Sequence, residues 1–397
     1  MTTIDSFSEM LKPLSESEFL ASVLGRRPMH IPGPSGRFAS LLSWGALNEI
    51  LLCHRQVDHL SLRIALNADI VPPAAYTHRS EERLEEQCLQ LDVVKLNHLL
   101  REGASIVLNK VQELHAPVSA LCRTMEWSLH TSVEACAFAG WHGVQGLPVH
   151  WDSEDVFVAQ VEGTKHWTLR EPAFKHPLAM HRDRLQPPES VYWEGDLQPG
   201  DLLYMPRGWW HCAVPNDQPS LHVSFAIRPP TGLDLIMGVL RRLPESELVR
   251  TAVPRFASEE AQAQYLSGIR SSIATLMDQV TVKDYLRVID SVAKTRGALS
   301  LPWAAMPGQS LPDHFWLHWM PPRPAPLVES DREVILDVMG SQFRFANIAA
   351  PVIRDLMSCR RVTVGDLCAR HAHADVQEFL TDLIAANLVA VSANRVI

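Results

Sequence analysis

The sequence lacks the features that define several large classes of protein. No apolar run among its 397 residues approaches the roughly 18 residues that a membrane-spanning helix needs. The seven cysteines are scattered and never spaced as CxxC, which argues against a disulfide framework and against a zinc ribbon. The polar, acidic first residues are neither a secretory signal nor a transit peptide. We therefore expect a cytoplasmic protein with reduced thiols and no membrane contact.

An excess of positive charge is also missing. The formal net charge is −9 at pH 7, so we do not expect the broad basic face with which proteins bind nucleic acid. The sequence contains no internal repeat and no low-complexity segment. A hydrophobic fraction of 46% and a charged fraction of 20% are ordinary for a globular protein, and the length predicts two or three domains.

The hydrophobic period changes along the chain and predicts an α+β fold. Helical spacing dominates the first part, with short strands expected over 28–32 and 59–65. A period of two then predicts strands over 134–139, 156–161, 165–170, 201–205 and 220–227, with a long Pro-rich insertion over 171–199. Short strands separated by turns are typical of an antiparallel barrel or sandwich. Helical patterns return after Pro229, and helices over 350–358 and 375–386 with a strand over 388–391 are typical of a winged helix.

Two elements of the strand-rich region carry metal-ligand residues. In His150-Trp151-Asp152 the first and third side chains share a face if the segment is a strand. Further along, a loop containing Pro206 and Gly208 leads to His211. Two imidazoles and one carboxylate on one side of a metal leave the opposite positions open, as in non-haem iron(II) oxygenases. The HxD triplet alone is weak evidence, and its pairing with the second element makes a metal site the favoured interpretation.

Lys165 is an independent indication of the chemistry. In the strand 165–170, alternation places Lys165 on the same apolar face as Trp167 and Leu169. A lysine inside a barrel is unfavourable unless it meets an anion, and the distal carboxylate of an oxo-acid cosubstrate is such an anion. The alternative is a lysine that extends to the rim of the barrel.

The last predicted strand of this region, 220–227, has one apolar and one polar face. His222 and Ser224 share the polar face, which suits contacts to a cosubstrate or to the metal ligands. His222 is a rival for the place of third metal ligand. We favour His211 because the loop with Pro206 and Gly208 positions it.

These motifs resemble the JmjC family, and more narrowly its ribosomal-oxygenase branch of cupin-fold protein hydroxylases. The resemblance implies a double-stranded β-helix catalytic domain over 1–230 with flanking helices, a helical dimerisation region over 231–310 and a winged-helix domain over 311–397. It also implies a homodimer, iron(II) at the three ligands and Lys165 as anchor of 2-oxoglutarate. The residues that carry it are His150-Trp151-Asp152, Asp155-Val156-Phe157, Gln160, Glu162-Gly163, Lys165, Trp167, the run from Gly200 to His211, and Ser220-Leu221-His222.

The activity implied by the resemblance is that of a dioxygenase. Iron(II), 2-oxoglutarate and O2 would hydroxylate a protein or peptide side chain, with a ribosomal protein as the nearest precedent, and release succinate and CO2. One alternative is an oxygenase acting on a biosynthetic precursor peptide or an amino-acid-like small molecule. Another is a non-enzymatic cupin and winged-helix binding protein.

The sequence departs from the family pattern in the wall of the expected pocket. Related enzymes often carry an asparagine and a tyrosine on the strand before HxD, where this chain has Cys136 and Phe138. A hydroxyl residue late in the final strand is replaced by Ala226, so that Ser224 is the nearby candidate. These changes remove polar contacts, and the contacts to 2-oxoglutarate and the identity of the substrate are therefore left open.

Overall fold

The structure is a computed structural model that describes residues 4, 6–53, 61–79, 89–306, 308–371 and 375–395. The chain divides into two compact units, one ending at Arg228 and the other running from Pro229 to Arg395. This division lies close to the boundary predicted at 230. The second unit is not divided further at 310, and that boundary stays a prediction.

The first unit contains six helices and thirteen strands among its described residues. Its helices are α1 (Phe7–Leu11), α2 (Glu16–Ser22), α3 (Trp44–Cys53), α4 (Val93–Arg101), α5 (Val111–Leu114) and α6 (Ala116–Leu129). Its strands are β1 (Met29–Ile31), β2 (Leu62–Leu66), β3 (Asp69–Val71), β4 (Thr77–Arg79), β5 (Leu89–Leu91), β6 (Ser105–Leu108), β7 (Val133–Gly140), β8 (Asp155–Glu162), β9 (Lys165–Arg170), β10 (Trp193–Leu197), β11 (Leu202–Met205), β12 (Trp210–Pro215) and β13 (Ser220–Ile227). Single 3-10 turns lie at Pro73–Ala75 and Ala179–Arg184.

Two antiparallel sheets form the frame of this unit. The larger sheet has the order β1-β11-β8-β13-β7-β6-β2-β3, and the smaller has the order β10-β9-β12. Residues from both sheets line one cavity of about 570 Å³, so the sheets face each other across it. This is a cupin-like arrangement of mixed helix and sheet, as the resemblance implied, and the antiparallel pairing agrees with the alternating pattern. β4 and β5 form a separate pair.

Strand β8 is buried on both faces, which explains its continuous apolar sequence. Phe157 and Ala159 join the large core beneath the helices, whereas Val156 and Val158 join a smaller cluster between the two sheets. On the outer face, Phe7 of α1 packs edge-on against Phe157 with ring centroids 5.6 Å apart. The N-terminal helices thereby cover the face of the sheet that turns away from the cavity.

Most predicted strands are present with small shifts at their ends, and two expectations are wrong. The segment 171–199, expected to be an insertion, contains strand β10, which pairs with β9. Its Glu194 and Asp196 both contact His166 of β9, at 2.9 and 2.7 Å, and this polar face hid the strand in the sequence. Strand β12, which begins after the Pro206 and Gly208 loop and contains His211, is absent from the predicted strands. The strand predicted over 59–65 lies partly outside the described residues.

The second unit combines helices with two three-stranded sheets. Its helices are α7 (Gly232–Leu240), α8 (Glu247–Arg250), α9 (Glu259–Asp278), α10 (Val282–Val292), α11 (Ala350–Cys359), α12 (Val364–Arg370) and α13 (Val376–Ala385), with 3-10 turns at Leu243–Glu245, Trp303–Ala305 and Asn347–Ala349. Its strands are β14 (Trp316–Trp319), β15 (Leu327–Glu329), β16 (Glu333–Val338), β17 (Ser341–Ala346), β18 (Arg361–Thr363) and β19 (Val389–Ser392), in the orders β18-β14-β19 and β15-β16-β17. Among the described residues of the whole chain, none of the helices has the length and apolar character that crossing a bilayer requires.

A buried Tyr–Asp pair offers a test of the first unit. The Tyr204 hydroxyl donates to Asp155 Oδ2 at 2.5 Å and accepts from the Gly25 N–H at 2.7 Å. Tyr204→Phe removes one hydrogen bond from each partner, and Oδ2 of the Asp155 carboxylate loses its donor in a buried position, so we expect a loss of about 1–3 kcal/mol in the free energy of unfolding. Urea unfolding followed by tryptophan fluorescence measures this loss.

The matched control Tyr192→Phe, at a side chain that is 49% exposed, should stay within about 0.5 kcal/mol of wild type. Equal effects of the two changes would contradict the expectation.

Candidate metal centre

His150 and His211 are joined by two backbone hydrogen bonds. The His211 N–H donates to the His150 carbonyl at 2.8 Å, and the His150 N–H donates to the His211 carbonyl at 3.1 Å. This isolated antiparallel bridge holds the two imidazole rings with their centroids 4.3 Å apart. The expectation that the HxD triplet lies on a strand is wrong, because residues 151–152 form no ladder. Gly143, Gly146 and Pro148 precede the triplet and interrupt any strand there.

Backbone carbonyls orient both imidazoles. His150 Nδ1 lies 2.8 Å from the Pro148 carbonyl, and His211 Nδ1 lies 3.1 Å from the Trp209 carbonyl. A carbonyl accepts only, so each Nδ1 carries a proton, and in the neutral form of either ring the lone pair is on Nε2. Burial, together with the nearby His150, lowers the pKa of His211 to about 4. His211 is therefore neutral at physiological pH and able to bind a cation.

The loop after β11 holds Asp152 against the histidines. The Gly208 N–H donates to the Asp152 carbonyl at 2.8 Å, and the Arg207 N–H donates to Asp155 Oδ1 at 2.9 Å. Gly208 has a φ of +84°, and a Cβ there would lie 2.5 Å from Pro177 Cδ, so only glycine fits. The loop thus connects the HxD segment to the start of β12, as the Pro206 and Gly208 pattern predicted.

The structure brings His150, Asp152 and His211 together. Their potential ligand atoms all lie within 4.8 Å of one another, and the distance from His211 Nε2 to Asp152 Oδ2 is 3.6 Å. Two neutral imidazole nitrogens and one carboxylate oxygen suit a divalent first-row metal, and the side away from the ligands opens into the cavity. Among the described residues this is the one such group of three that could hold a metal.

His222 lies in the same cavity but outside this group. Its ring stacks on Phe138 with centroids 4.7 Å apart and meets Trp167 edge-on at 5.6 Å. Its Nδ1 is buried and has no hydrogen-bond partner among the described residues. Burial and the neighbouring Lys165 hold the pKa of His222 well below its ordinary value, so the ring is neutral. The geometry favours His211 over His222 as the third ligand.

Lys165 points into the cavity, as the alternation of β9 predicted. The residue is 7% exposed, and its Nζ lies 6.0 Å from the centroid of the Phe138 ring. Burial lowers the pKa of Lys165 to about 8. In the part of the chain that the structure describes, Lys165 forms no ion pair with an acidic side chain. Because a buried ammonium group without a counter-charge is unfavourable, Lys165 is suited to bind an anion that enters the cavity.

Strand register places the remaining predicted residues on the cavity wall. Ser224 of β13 pairs with Cys136 of β7, and Ala226 pairs with Glu134. Cys136, Phe138, Ser224 and Ala226 all line the cavity, so the departures from the family pattern lie where the sequence predicted them. The Cys136 thiol donates to Asn109 Oδ1 at 3.3 Å, and burial raises its pKa to about 11.

Sequence reasoning missed several residues that line the cavity. Arg63 of β2 and Val107 of β6 lie on its wall, and Glu154 lies near the metal ligands with its carboxylate bound by Arg228 at 2.7 Å. Arg63 stands between Leu62 and Ile64, which belong to the core, so alternation alone predicts an arginine that faces solvent.

Comparison with known proteins supports the same interpretation. A family model described as JmjC domain matches residues 108–235. The matched segment is thus similar to a JmjC domain, and it includes all three candidate ligands, Lys165 and the whole of β13. The resemblance to JmjC ribosomal oxygenases that the motifs predicted is confirmed.

Curated relatives match the central part of this chain. The bifunctional lysine-specific demethylase and histidyl-hydroxylase NO66 of Dictyostelium discoideum is 33% identical over 177 residues, which are 43% of this chain and 34% of that protein. Ribosomal oxygenase 2 of Bos taurus is 35% identical over 156 residues, which are 34% of this chain and 32% of that protein. The chain thus spans about a third of the length of these two relatives.

A solved structure matches almost the whole chain. YcfD, a ribosomal oxygenase from Escherichia coli in complex with cobalt and 2-oxoglutarate, has a TM-score of 0.59 with 16% identity. The match covers 96% of this chain and 99% of that one. At this identity the likeness shows the fold, and it agrees with the cupin-like frame around the JmjC domain.

Single substitutions separate the metal ligands from their neighbour. Asp152→Ala and His211→Ala each remove one of three ligand atoms, so we expect cobalt(II) affinity to fall by at least about 100-fold, more than loss of a residue behind the ligands causes. His222→Gln should retain affinity within about 10-fold. Titration of the metal-free protein with cobalt(II), followed by absorbance and calorimetry, measures this. His166→Gln on the exposed face of β9 is the matched control. If His222→Gln lost cobalt(II) binding and His211→Ala retained it, His222 and not His211 would be the third metal ligand.

Proposed function

We propose that this protein is an iron(II)- and 2-oxoglutarate-dependent dioxygenase that hydroxylates a protein or peptide side chain. The observation that carries the proposal is one cavity that contains both a three-residue metal group with an open side and a buried, unpaired Lys165. A metal group alone is compatible with many cupin reactions. A cation placed to receive a dicarboxylate distinguishes the 2-oxoglutarate oxygenases from these. YcfD, which has the same fold, was solved with cobalt and 2-oxoglutarate, and this supports a metal and 2-oxoglutarate as the molecules bound in this cavity.

Seven residues of the cavity would have roles in this reaction. His150, Asp152 and His211 would hold iron(II), and Lys165 would bind the distal carboxylate of 2-oxoglutarate. Bound iron with 2-oxoglutarate and O2 supplies the oxidation of a C–H bond to C–OH, with release of succinate and CO2. Trp167, Met205 and Phe138 line the cavity with apolar surface, which excludes water and strengthens the contact of Lys165 with its anion.

The relatives indicate the class of substrate. Their names specify ribosomal oxygenation and histidyl hydroxylation, which are reactions on proteins. A ribosomal protein is thus the nearest precedent for the substrate here. The altered wall at Cys136, Phe138 and Ala226 favours, as a second candidate, a precursor peptide or an amino-acid-like molecule in place of that precedent.

Two helices of the second unit, α9 and α10, have exposed surfaces that support a homodimer. None of the twenty described residues of α9 is buried, and the same holds for the described residues of α10. Apolar side chains on α10 are exposed, among them Val282 at 64% and Val288 at 60%. Helices with exposed apolar faces need a partner surface. We propose that 231–310 dimerises, and that the order α11-β18-α12-α13-β19 forms the predicted winged helix, whose function is structural. The cytoplasmic location stays a prediction.

Lys165 provides the sharpest test of the cosubstrate. Lys165→Met keeps the length of the side chain and removes the charge, so the distal carboxylate loses a buried partner. The loss of such a pair costs about 2–5 kcal/mol, which predicts at least about 30-fold weaker binding of 2-oxoglutarate. Calorimetric titration of the manganese(II)-loaded protein with 2-oxoglutarate measures this, and metal affinity should be retained.

Two further measurements complete this test. Lys175→Met changes an exposed lysine and should leave 2-oxoglutarate affinity unchanged. Succinate release from 2-oxoglutarate by the iron-loaded wild type tests the reaction itself. Wild-type protein that binds metal but neither binds 2-oxoglutarate nor releases succinate would contradict the proposed function and favour the non-enzymatic binding protein.

The dimer is tested at α10. Val282 and Leu286 lie four residues apart and therefore on one face, and both side chains are exposed in the single chain. Replacement of both by Glu places charge in the proposed interface, so light scattering should report a dimer for wild type and a monomer for the variant. Lys283→Glu, an exposed change on the same helix, should remain dimeric. A monomeric wild type would refute this proposal.

A further inference from the structure

The inner face of the larger sheet carries one continuous row of residues. Register pairs Arg63 of β2 with Val107 of β6, Val107 with Phe138 of β7, and Phe138 with His222 of β13. Paired residues in adjacent strands project from the same face, and all four line the cavity. Because neighbouring strands are about 4.8 Å apart, the backbone of Arg63 lies roughly 10 Å from that of Phe138.

Every other charged side chain on the cavity wall has a partner or a task. Asp152 belongs to the metal group, Glu154 is bound by Arg228, and Lys165 is suited to the cosubstrate. Arg63 has one hydrogen bond, a long one of 3.4 Å from Nη2 to Asn109 Oδ1. Its Nε is buried and has no partner among the described residues. A guanidinium has five N–H donors, and in the described part of the chain only the Nη2 of Arg63 has a protein acceptor.

The cosubstrate does not account for this second cation. Lys165 belongs to β9 of the smaller sheet, and its Nζ lies 6.0 Å from the centroid of the Phe138 ring, whereas Arg63 stands two strands away from Phe138 in the larger sheet. In the proposed function the distal carboxylate of 2-oxoglutarate is bound by Lys165, so Arg63 has no role in binding it. The cavity has space for more than 2-oxoglutarate, since about 570 Å³ is within the range of pockets that enclose drug-sized ligands.

We propose that Arg63 binds a carboxylate of the primary substrate. The planar fork of a guanidinium matches a carboxylate in two parallel hydrogen bonds, and Val107, which pairs with Arg63 in the sheet and is buried, gives the site an apolar neighbour. This inference rests on the proposed function and narrows its substrate to one with an acidic group: an aspartyl or glutamyl side chain, or the terminal carboxylate of a short peptide. Such a substrate differs from the histidyl side chain that the name of the relative from Dictyostelium discoideum specifies.

Short peptides test the inference by binding. The probes are N-acetylated, C-amidated Gly-X-Gly peptides in which X is Asp, Asn, Glu or Gln, and N-acetyl-Gly-Ala-Gly with a free or an amidated C-terminus. The full chain is loaded with manganese(II) and N-oxalylglycine, an inert analogue of 2-oxoglutarate. Trp151 and Trp167 line the cavity, so tryptophan fluorescence reports occupancy.

Wild-type protein should bind at least one carboxylate probe at least 10-fold more tightly than its amide counterpart. A preference for Asp or Glu identifies a side-chain carboxylate, and a preference for the free C-terminus identifies a terminal one. Arg63→Gln, which keeps a donor for Asn109, should reduce the preference to within two-fold. Arg63→Lys keeps the charge without the fork and should give an intermediate preference. Arg101→Gln, at an exposed arginine of α4, should retain the wild-type preference.

Two outcomes overturn the inference: a wild type that binds every carboxylate and amide pair equally, or an Arg63→Gln or Arg63→Lys variant whose preference equals that of wild type. Failure to bind cobalt(II) identifies a variant that has not folded, and the other variant at Arg63 then tests the inference.

Succinate release by the iron-loaded wild type is measured in parallel. A preference that depends on Arg63 without succinate release refutes the hydroxylase and leaves the carboxylate site. Succinate release without the preference refutes only the site.

Discussion

The paired backbone hydrogen bonds between His150 and His211 are the constraint on which the site depends. They join a segment that belongs to neither sheet to the second residue of β12, so two ligands distant in sequence share one local geometry. The carbonyls of Pro148 and Trp209 then fix the ring tautomers. Since each of these contacts has a backbone group as a partner, the positions of the two imidazoles depend little on which side chains surround them.

The cavity wall combines apolar surface with few, separated charges. Phe138 lies between the two sheets of the site, stacked on His222 and beneath the ammonium of Lys165. An aromatic ring offers a weak attraction to a cation and no hydrogen bond, so it leaves the donors of Lys165 unsatisfied. Burial disfavours the charged form of that lysine, and an incoming carboxylate restores it. The same surroundings keep His222 neutral, and thus prevent it from competing with Lys165 for the anion.

Local alternation predicts side-chain direction well where the strand is regular. In β9 and β13 the buried and cavity-facing residues are those that a period of two requires, because direction within one strand is set by its own backbone. The HxD triplet departs from this rule, because a tertiary bridge to His211 holds it rather than a ladder. Strand β10 escaped prediction because its polar residues are satisfied by His166 across the pair, a contact that no local pattern contains.

Arg63 marks the boundary of what one sequence can predict. Its position in the cavity follows from the register of β2 on β6 and of β6 on β7, which are pairings between distant segments. A period of two gives the direction relative to Leu62, but not which face of the sheet encloses a cavity and which meets the helices. The packing of the helices decides this: the helices of the first unit cover the outer face of the sheet, and the smaller sheet therefore faces its inner side. Relative to the family pattern that the resemblance implies, the wall has fewer polar groups at Cys136, Phe138 and Ala226, and Arg63 lies at the end of the row that contains Phe138. The polar recognition of a substrate in this cavity is thereby displaced from the centre of the sheet toward β2, while the metal group and Lys165 are unchanged.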